Sequence, residues 1–247
     1  MSDDWDSYLC EVDGRLASMF VDLGLFASTP VPALPCMGRV VLRLGSPNPD
    51  GMSSNEEFEA LMEVEDALTK QLVEGGAVYV GRCTTNGVRE FHFYMARSED
   101  WKERVAACMR AFPGYVWEAQ AQGDSEWMFY RDYLYPDAAQ WQAIANRRQC
   151  EALQREGDAL MASREIDHVA CFPDTGCRDG FVEAAQGLGF AVRTLGDSGD
   201  PFYPFSATVR RLDVPRLDRI DEVTGPLFDL AVSCGGRYEG WATTVVA

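Results

Sequence analysis

DAAQWQAIANRRQCEALQREGDALMASREIDHVACF, residues 137–172, is the stretch that decides the architecture. Asp137 follows Tyr135-Pro136 and is placed to cap a helix, because its carboxylate can accept the otherwise unpaired amides of the first turn. Trp141, Ile144, Ala145, Ala152 and Leu153 then recur at spacings of three, four, seven and eight, which draws one apolar stripe. Gly157-Asp158 reads as the stop, since glycine accepts the left-handed conformation that closes a helix, and Ile166 to Phe172 as a buried strand. The stretch is a connecting helix, 137–156, between an α+β unit at 1–136 and a second at 157–247.

On the amino-terminal side, Asp13-Gly14 between Tyr8–Val12 and Leu16–Leu23 is a hairpin signal. The three prolines within Ser28 to Pro35 mark a loop and a boundary between this hairpin and the first compact unit. Arg39 to Leu44 reads as a strand. Ser53 and Glu56 fit a capping box opening a helix to about Glu74, with Phe58, Leu61, Met62, Val64, Leu68 and Leu72 inward and Glu57, Glu59, Glu63 and Asp66 outward. Strands follow at Ala77–Cys83 and Arg89–Ala96 around Asn86-Gly87, then a helix from Ser98 to Phe112 and a strand at Tyr115–Ala121. The order is β-α-β-β-α-β. The aromatic run of residues 122–135 is expected to pack the connecting helix onto this unit.

On the carboxyl-terminal side the same order recurs. Strands are expected at Ile166–Phe172, Phe190–Leu195, Tyr203–Leu212 and Tyr238–Val246. The helices are one capped by Asp174 and one running from Pro215 to Cys234, closed by Gly235-Gly236. The fold expected is α+β: two tandem ferredoxin-like sandwiches joined by a helix, with an amino-terminal β-hairpin.

A chain of 247 residues, 47% hydrophobic and 25% charged, can bury two cores and is not disordered in composition. Its acidic start lacks a basic segment followed by an apolar run, and no apolar run is long enough to span a membrane, so a cytoplasmic protein is expected. The eight cysteines form none of the close pairs typical of zinc or redox motifs, and free thiols are expected. The formal charge is -17, with an acidic excess on both sides of Cys150. Since Lys and Arg on phosphates supply most nucleic-acid affinity, this balance argues against direct RNA binding and suits a basic protein partner.

If the first and fourth strands of the second unit are neighbours, Arg164, Asp167 and His168 come close to Tyr238, Glu239 and Trp241. Imidazole, carboxylate and phenol together could do acid–base work, because a histidine titrates near neutrality and a carboxylate fixes its tautomer. A hydrogen-bonded structural histidine is the alternative. There is no triad order, no glycine-rich phosphate loop and no ligand spacing around His92 or His168, so no catalytic residue, metal or cofactor is expected. Phe91 and Phe93 fall on one face of their strand, which suits a base-stacking platform or a core equally.

The second unit resembles the bacterial regulator of ribonuclease E activity B family. The resemblance rests on Gly157-Asp158, on Arg164-Glu-Ile-Asp-His168 with Phe172, on Arg178, Phe181 and Gly189-Phe190, and on Gly235-Gly-Arg-Tyr238-Glu-Gly-Trp241. It spans residues 157–246. It implies a ferredoxin-like, non-enzymatic protein that binds ribonuclease E and modulates RNA decay, with Arg164, Asp167, His168, Tyr238, Glu239 and Trp241 as candidate partner contacts. Glu239 stands where that family tends to have aspartate, and Ala242 where it tends to have glutamate. The first unit resembles an uncharacterised bacterial domain fused ahead of such regulators, through Val12-Asp-Gly-Arg-Leu-Ala-Ser18, Asp50-Gly-Met-Ser53, Val80-Gly-Arg82, Tyr133-Leu-Tyr-Pro136 and Asn146-Arg147.

Overall fold

The computed structural model describes Ser2 and residues 4–246. The chain is α+β and divides into two compact units, Met1–Asp137 and Ala138–Ala247. In the first, β1 (Trp5–Val12) and β2 (Arg15–Asp22) form the hairpin, followed by β3 (Cys36–Arg43), α1 (Phe58–Glu74), β4 (Val78–Thr85), β5 (Val88–Met95), α2 (Trp101–Met109) and β6 (Trp117–Gly123). Both hairpin turns carry positive φ at their two central residues, Asp13-Gly14 and Asn86-Gly87, the backbone that matches strand twist.

The strands make one antiparallel sheet in the order β1-β2-β4-β5-β3-β6. The expected separation of the hairpin from the first unit is therefore corrected. Ala17 to Val21 pair with Thr85 to Gly81, so the hairpin covers what would be an open edge at β4.

One face of this sheet packs on α1 and α2 through Val40, Leu42, Phe91 and Phe93 against Leu61, Val64, Leu68 and Trp101. Phe91 and Phe93 are thus core residues and unavailable for base stacking. The phase of α1 differs from expectation at its start. Ser53 and Glu56 form no capping box. The helix is entered through a 3-10 turn without a side-chain cap, and Glu57 turns inward to accept from the Gly45 and Ser46 amides at 2.7 and 3.0 Å. Phe58 is consequently exposed.

The aromatic run contributes to the first unit's own interior. Trp127 and the π-helical segment Phe129–Leu134 lie on the other sheet face. Trp127 stacks on Tyr94 at 3.8 Å, Phe129 lies 4.6 Å from His92, and the Tyr8 hydroxyl donates to the Leu134 carbonyl at 2.8 Å. Burial of these large rings closes the middle of a face that would otherwise need solvent-compatible side chains.

The second unit contains α3 (Ala138–Arg155), β7 (Arg164–Phe172), α4 (Thr175–Gly187), β8 (Ala191–Asp197), β9 (Phe205–Asp213), α5 (Leu217–Ser233) and β10 (Arg237–Ala242). Its antiparallel sheet runs β10-β7-β9-β8, so the first and fourth strands of the repeat are neighbours. Asp174 caps α4 as read, accepting from the Cys177 amide at 2.8 Å. α3 packs within this unit: Cys150 and Leu153 meet Leu160, Ile166, Ile220 and Trp241 in one buried cluster. The main core lies between the sheet and α4/α5, around Phe172, Phe181, Ala207, Val209 and Leu227. Among the described residues, no helix is long and apolar enough to cross a membrane.

Two glycines explain the terminal motif. Gly236 lies so close to Phe172 that an added Cβ would fall 2.3 Å from its ring, so the helix-to-strand turn requires glycine there. Gly240 has φ of 117°, a region closed to other residues, and forms a bulge with Glu239. A regular strand would put Tyr238 and Trp241, three residues apart, on opposite faces; the bulge turns both toward the core.

Candidate functional site

Register places the expected residues beside one another, Trp241 opposite His168 and Tyr238 opposite Ala170. Alternation then divides them by face. Arg164, His168, Tyr238 and Trp241 are buried, whereas Asp167 and Glu239 are held in surface ion pairs. The structure thus brings together a dyad and a separate pair of carboxylates in place of one six-residue cluster.

His168 is fully buried and shares a hydrogen bond of 2.7 Å between Nδ1 and the Tyr238 hydroxyl. The Phe190 ring meets it edge-on at 5.4 Å, and Nε2 has no partner. Burial lowers the imidazole pKa to about 4, the nearby Asp213 opposing and Arg211 reinforcing the shift. Burial also raises the Tyr238 phenol well above its ordinary value. A neutral imidazole bonded to a protonated phenol, both out of solvent, is the arrangement of a structural core pair.

This pair makes the unit acid-sensitive. The unfolded chain takes up a proton at an ordinary histidine pKa of 6.5, which the folded chain resists down to about 4. The contribution is fully present above pH 6.5 and is lost as pH falls toward 4, in total about 3 kcal/mol. Denaturant unfolding of wild type and His168→Gln across that window should show the variant's stability changing with a slope shallower by about one proton. Equal slopes would remove His168 as the titrating group.

Trp241 is fixed by a residue that sequence reasoning missed. Its indole Nε1 donates to Asn146 Oδ1 at 2.8 Å, and Asn146 Nδ2 donates to Asp221 and Thr224, both at 2.7 Å. Gln142 donates to the same Asn146 oxygen. One buried amide therefore ties α3, α5 and β10 together. A polar residue four positions before Cys150 and seven before Leu153, on the buried stripe, was the available signal.

Arg164 likewise has an interior role. Its guanidinium grips Asp158 at 2.5 and 3.4 Å, and the carboxylate also accepts from the Leu160 and Val246 amides at 2.7 and 2.9 Å. Burial would raise the Asp158 pKa, but the two amides and Arg164 outweigh it and hold it below the ordinary value. The strand expected to reach Val246 ends at Ala242 because its tail turns to cover this carboxylate.

On the opposite sheet face, Arg193 pairs with Asp167, Arg210 with Glu165 at 2.9 Å, and Arg237 with both Glu239 and Asp200 at 2.5 and 3.0 Å. Asp167 keeps one buried oxygen, Oδ1, without a partner. Among the described residues, no group of three His, Cys, Asp or Glu is arranged to hold a metal ion.

An α+β chain of two units, the second carrying the Gly-Gly-x-Tyr-acid-Gly-Trp turn and bulge, is the class of protein defined here. Residues 3–135 match the model of a family of unknown function, DUF695, and the chain belongs to that family. Residues 143–243 match the model of Regulator of ribonuclease activity B. A search of curated proteins finds no match. Among solved structures, an unknown protein from Galdieria sulphuraria shares 10% identity over 85% of this chain and 99% of its own, with a TM-score of 0.24. A structure described as a putative glycine cleavage system transcriptional repressor shares 8% over 85% and 98%, with a TM-score of 0.25. Likenesses this low carry no argument.

Proposed function

We propose that the protein is a non-enzymatic regulator of RNA turnover that binds ribonuclease E, or another protein of RNA decay, through an acidic surface and alters its activity. The observation that carries this reading is the match of residues 143–243 to Regulator of ribonuclease activity B. Of the candidate contacts, Asp167 and Glu239 keep their side chains partly exposed, while the buried Arg164, His168, Tyr238 and Trp241 hold the strands that present them. Exposed ion pairs contribute only about 0–1 kcal/mol each. Arginines of a basic partner can therefore replace Arg193 and Arg237 on these carboxylates at little cost. The charge of -17 favours such a partner over nucleic acid itself.

Ribonuclease E cleavage of an RNA substrate should change when the protein is added in stoichiometric amount, and the change should weaken with salt. Asp167→Arg combined with Glu239→Arg should abolish the effect while the thermal midpoint stays near wild type. An unchanged cleavage rate with the wild-type protein, together with no nuclease retained by it, would sink the proposal.

A further inference from the structure

Where β9 ends and α5 begins, the second unit holds a cavity of about 590 Å³. Three arginines line it, Arg211, Arg216 and Arg219, each with a carboxylate beside it, Asp213, Asp218 and Glu222. Three of the unit's 11 basic residues thus gather at one cavity, although the unit as a whole carries 16 acidic ones. The remaining wall is largely apolar and unusually open. Met161 is 64% and Leu212 67% exposed, and Val214 and Val223 complete it.

The three arginines differ in how far they are already engaged. Asp213 holds Arg211 through two bonds of 2.9 and 3.2 Å, and Asp218 holds Arg216 through two of 2.9 and 2.6 Å, each two residues along the chain. The Leu188 carbonyl and the Phe190 ring further fix Arg211, at 3.1 and 4.3 Å. Arg219 is the loosest, 3.7 Å from Glu222 with both side chains about two-thirds exposed. An exposed pair such as Arg219–Glu222 contributes little, so a doubly charged phosphate can compete for Arg219 and for the N–H groups of Arg216 that Asp218 does not take.

We infer that this cavity binds a small phosphorylated molecule, with the phosphate on Arg211, Arg216 and Arg219 and an apolar or aromatic body over Met161 and Val223. The volume falls in the range of about 300–1,000 Å³ typical of small-ligand sites, and the mainly polar lining suits a charged ligand. The site is distinct from the Asp167/Glu239 surface, so it stands or falls separately from the regulator role.

Calorimetric titration of the full chain with adenosine monophosphate and, separately, inorganic phosphate tests it. Adenosine monophosphate should bind saturably and more tightly than inorganic phosphate. Arg219→Glu should weaken it about tenfold or more, with an unchanged thermal midpoint. Absence of saturable binding by the wild type overturns the inference, and so does binding that survives both Arg219→Glu and Arg216→Ala. Equal affinity for the two probes overturns the assignment of the apolar wall to a ligand body.

Discussion

Arg164→Ala should lower the unfolding free energy of the second unit by about 3–5 kcal/mol, because it leaves the Asp158 carboxylate buried without its counter-charge. Both side chains are almost wholly inaccessible, and the carboxylate accepts two backbone amides besides the guanidinium. Those amides anchor the loop after α3 and the tail after β10, so the loss spreads to both. Asp158→Asn should also destabilise the unit, since Leu160 and Val246 donate to different carboxylate oxygens and an amide can accept only one of them, its NH2 facing the other donor. The double variant Arg164→Met, Asp158→Leu should recover a large part of the loss, as apolar replacements of a buried pair often do. Denaturant titrations of the three variants measure this, and a stability change below about 1 kcal/mol for Arg164→Ala would show the pair to be dispensable.

The same pair shows how far a sequence can be read. Alternation located every strand of both sheets, and the β-α-β-β-α-β order was enough to set β10 beside β7, hence Trp241 beside His168. Which face each side chain takes was not legible across the terminal motif. Tyr238 and Trp241 share a face only through the bulge at Gly240, whose positive φ is a backbone property with no periodic signature. Phe58 and Glu57 exchanged roles for a similar reason: the 3-10 entry to α1 depends on the amides of Gly45 and Ser46, twelve and eleven residues away. Asn146 was hidden by distance. Its partners Asp221, Thr224 and Trp241 lie 75, 78 and 95 residues further along, beyond what any local pattern relates.

Trp241→Ala should therefore act first on folding and only secondarily on any partner. The indole belongs to the cluster with Cys150, Leu153, Leu160, Ile166 and Ile220, and its removal leaves a cavity in a site where α3, α5 and β10 meet. Loss of a buried aromatic costs about 3–5 kcal/mol. Trp241→Phe keeps most of the volume and deletes only the bond to Asn146. It should cost about 1–2 kcal/mol, reduced because Gln142 still donates to the same oxygen. The ratio between the two variants separates packing from hydrogen bonding. It also decides how a binding defect is interpreted: if Trp241→Phe binds a nuclease partner like wild type while Trp241→Ala is unfolded at assay temperature, Trp241 is scaffold. A folded Trp241→Phe that has lost the partner would instead place the indole edge in the contact, and the surface assigned to Asp167 and Glu239 would have to extend around β10 to include it.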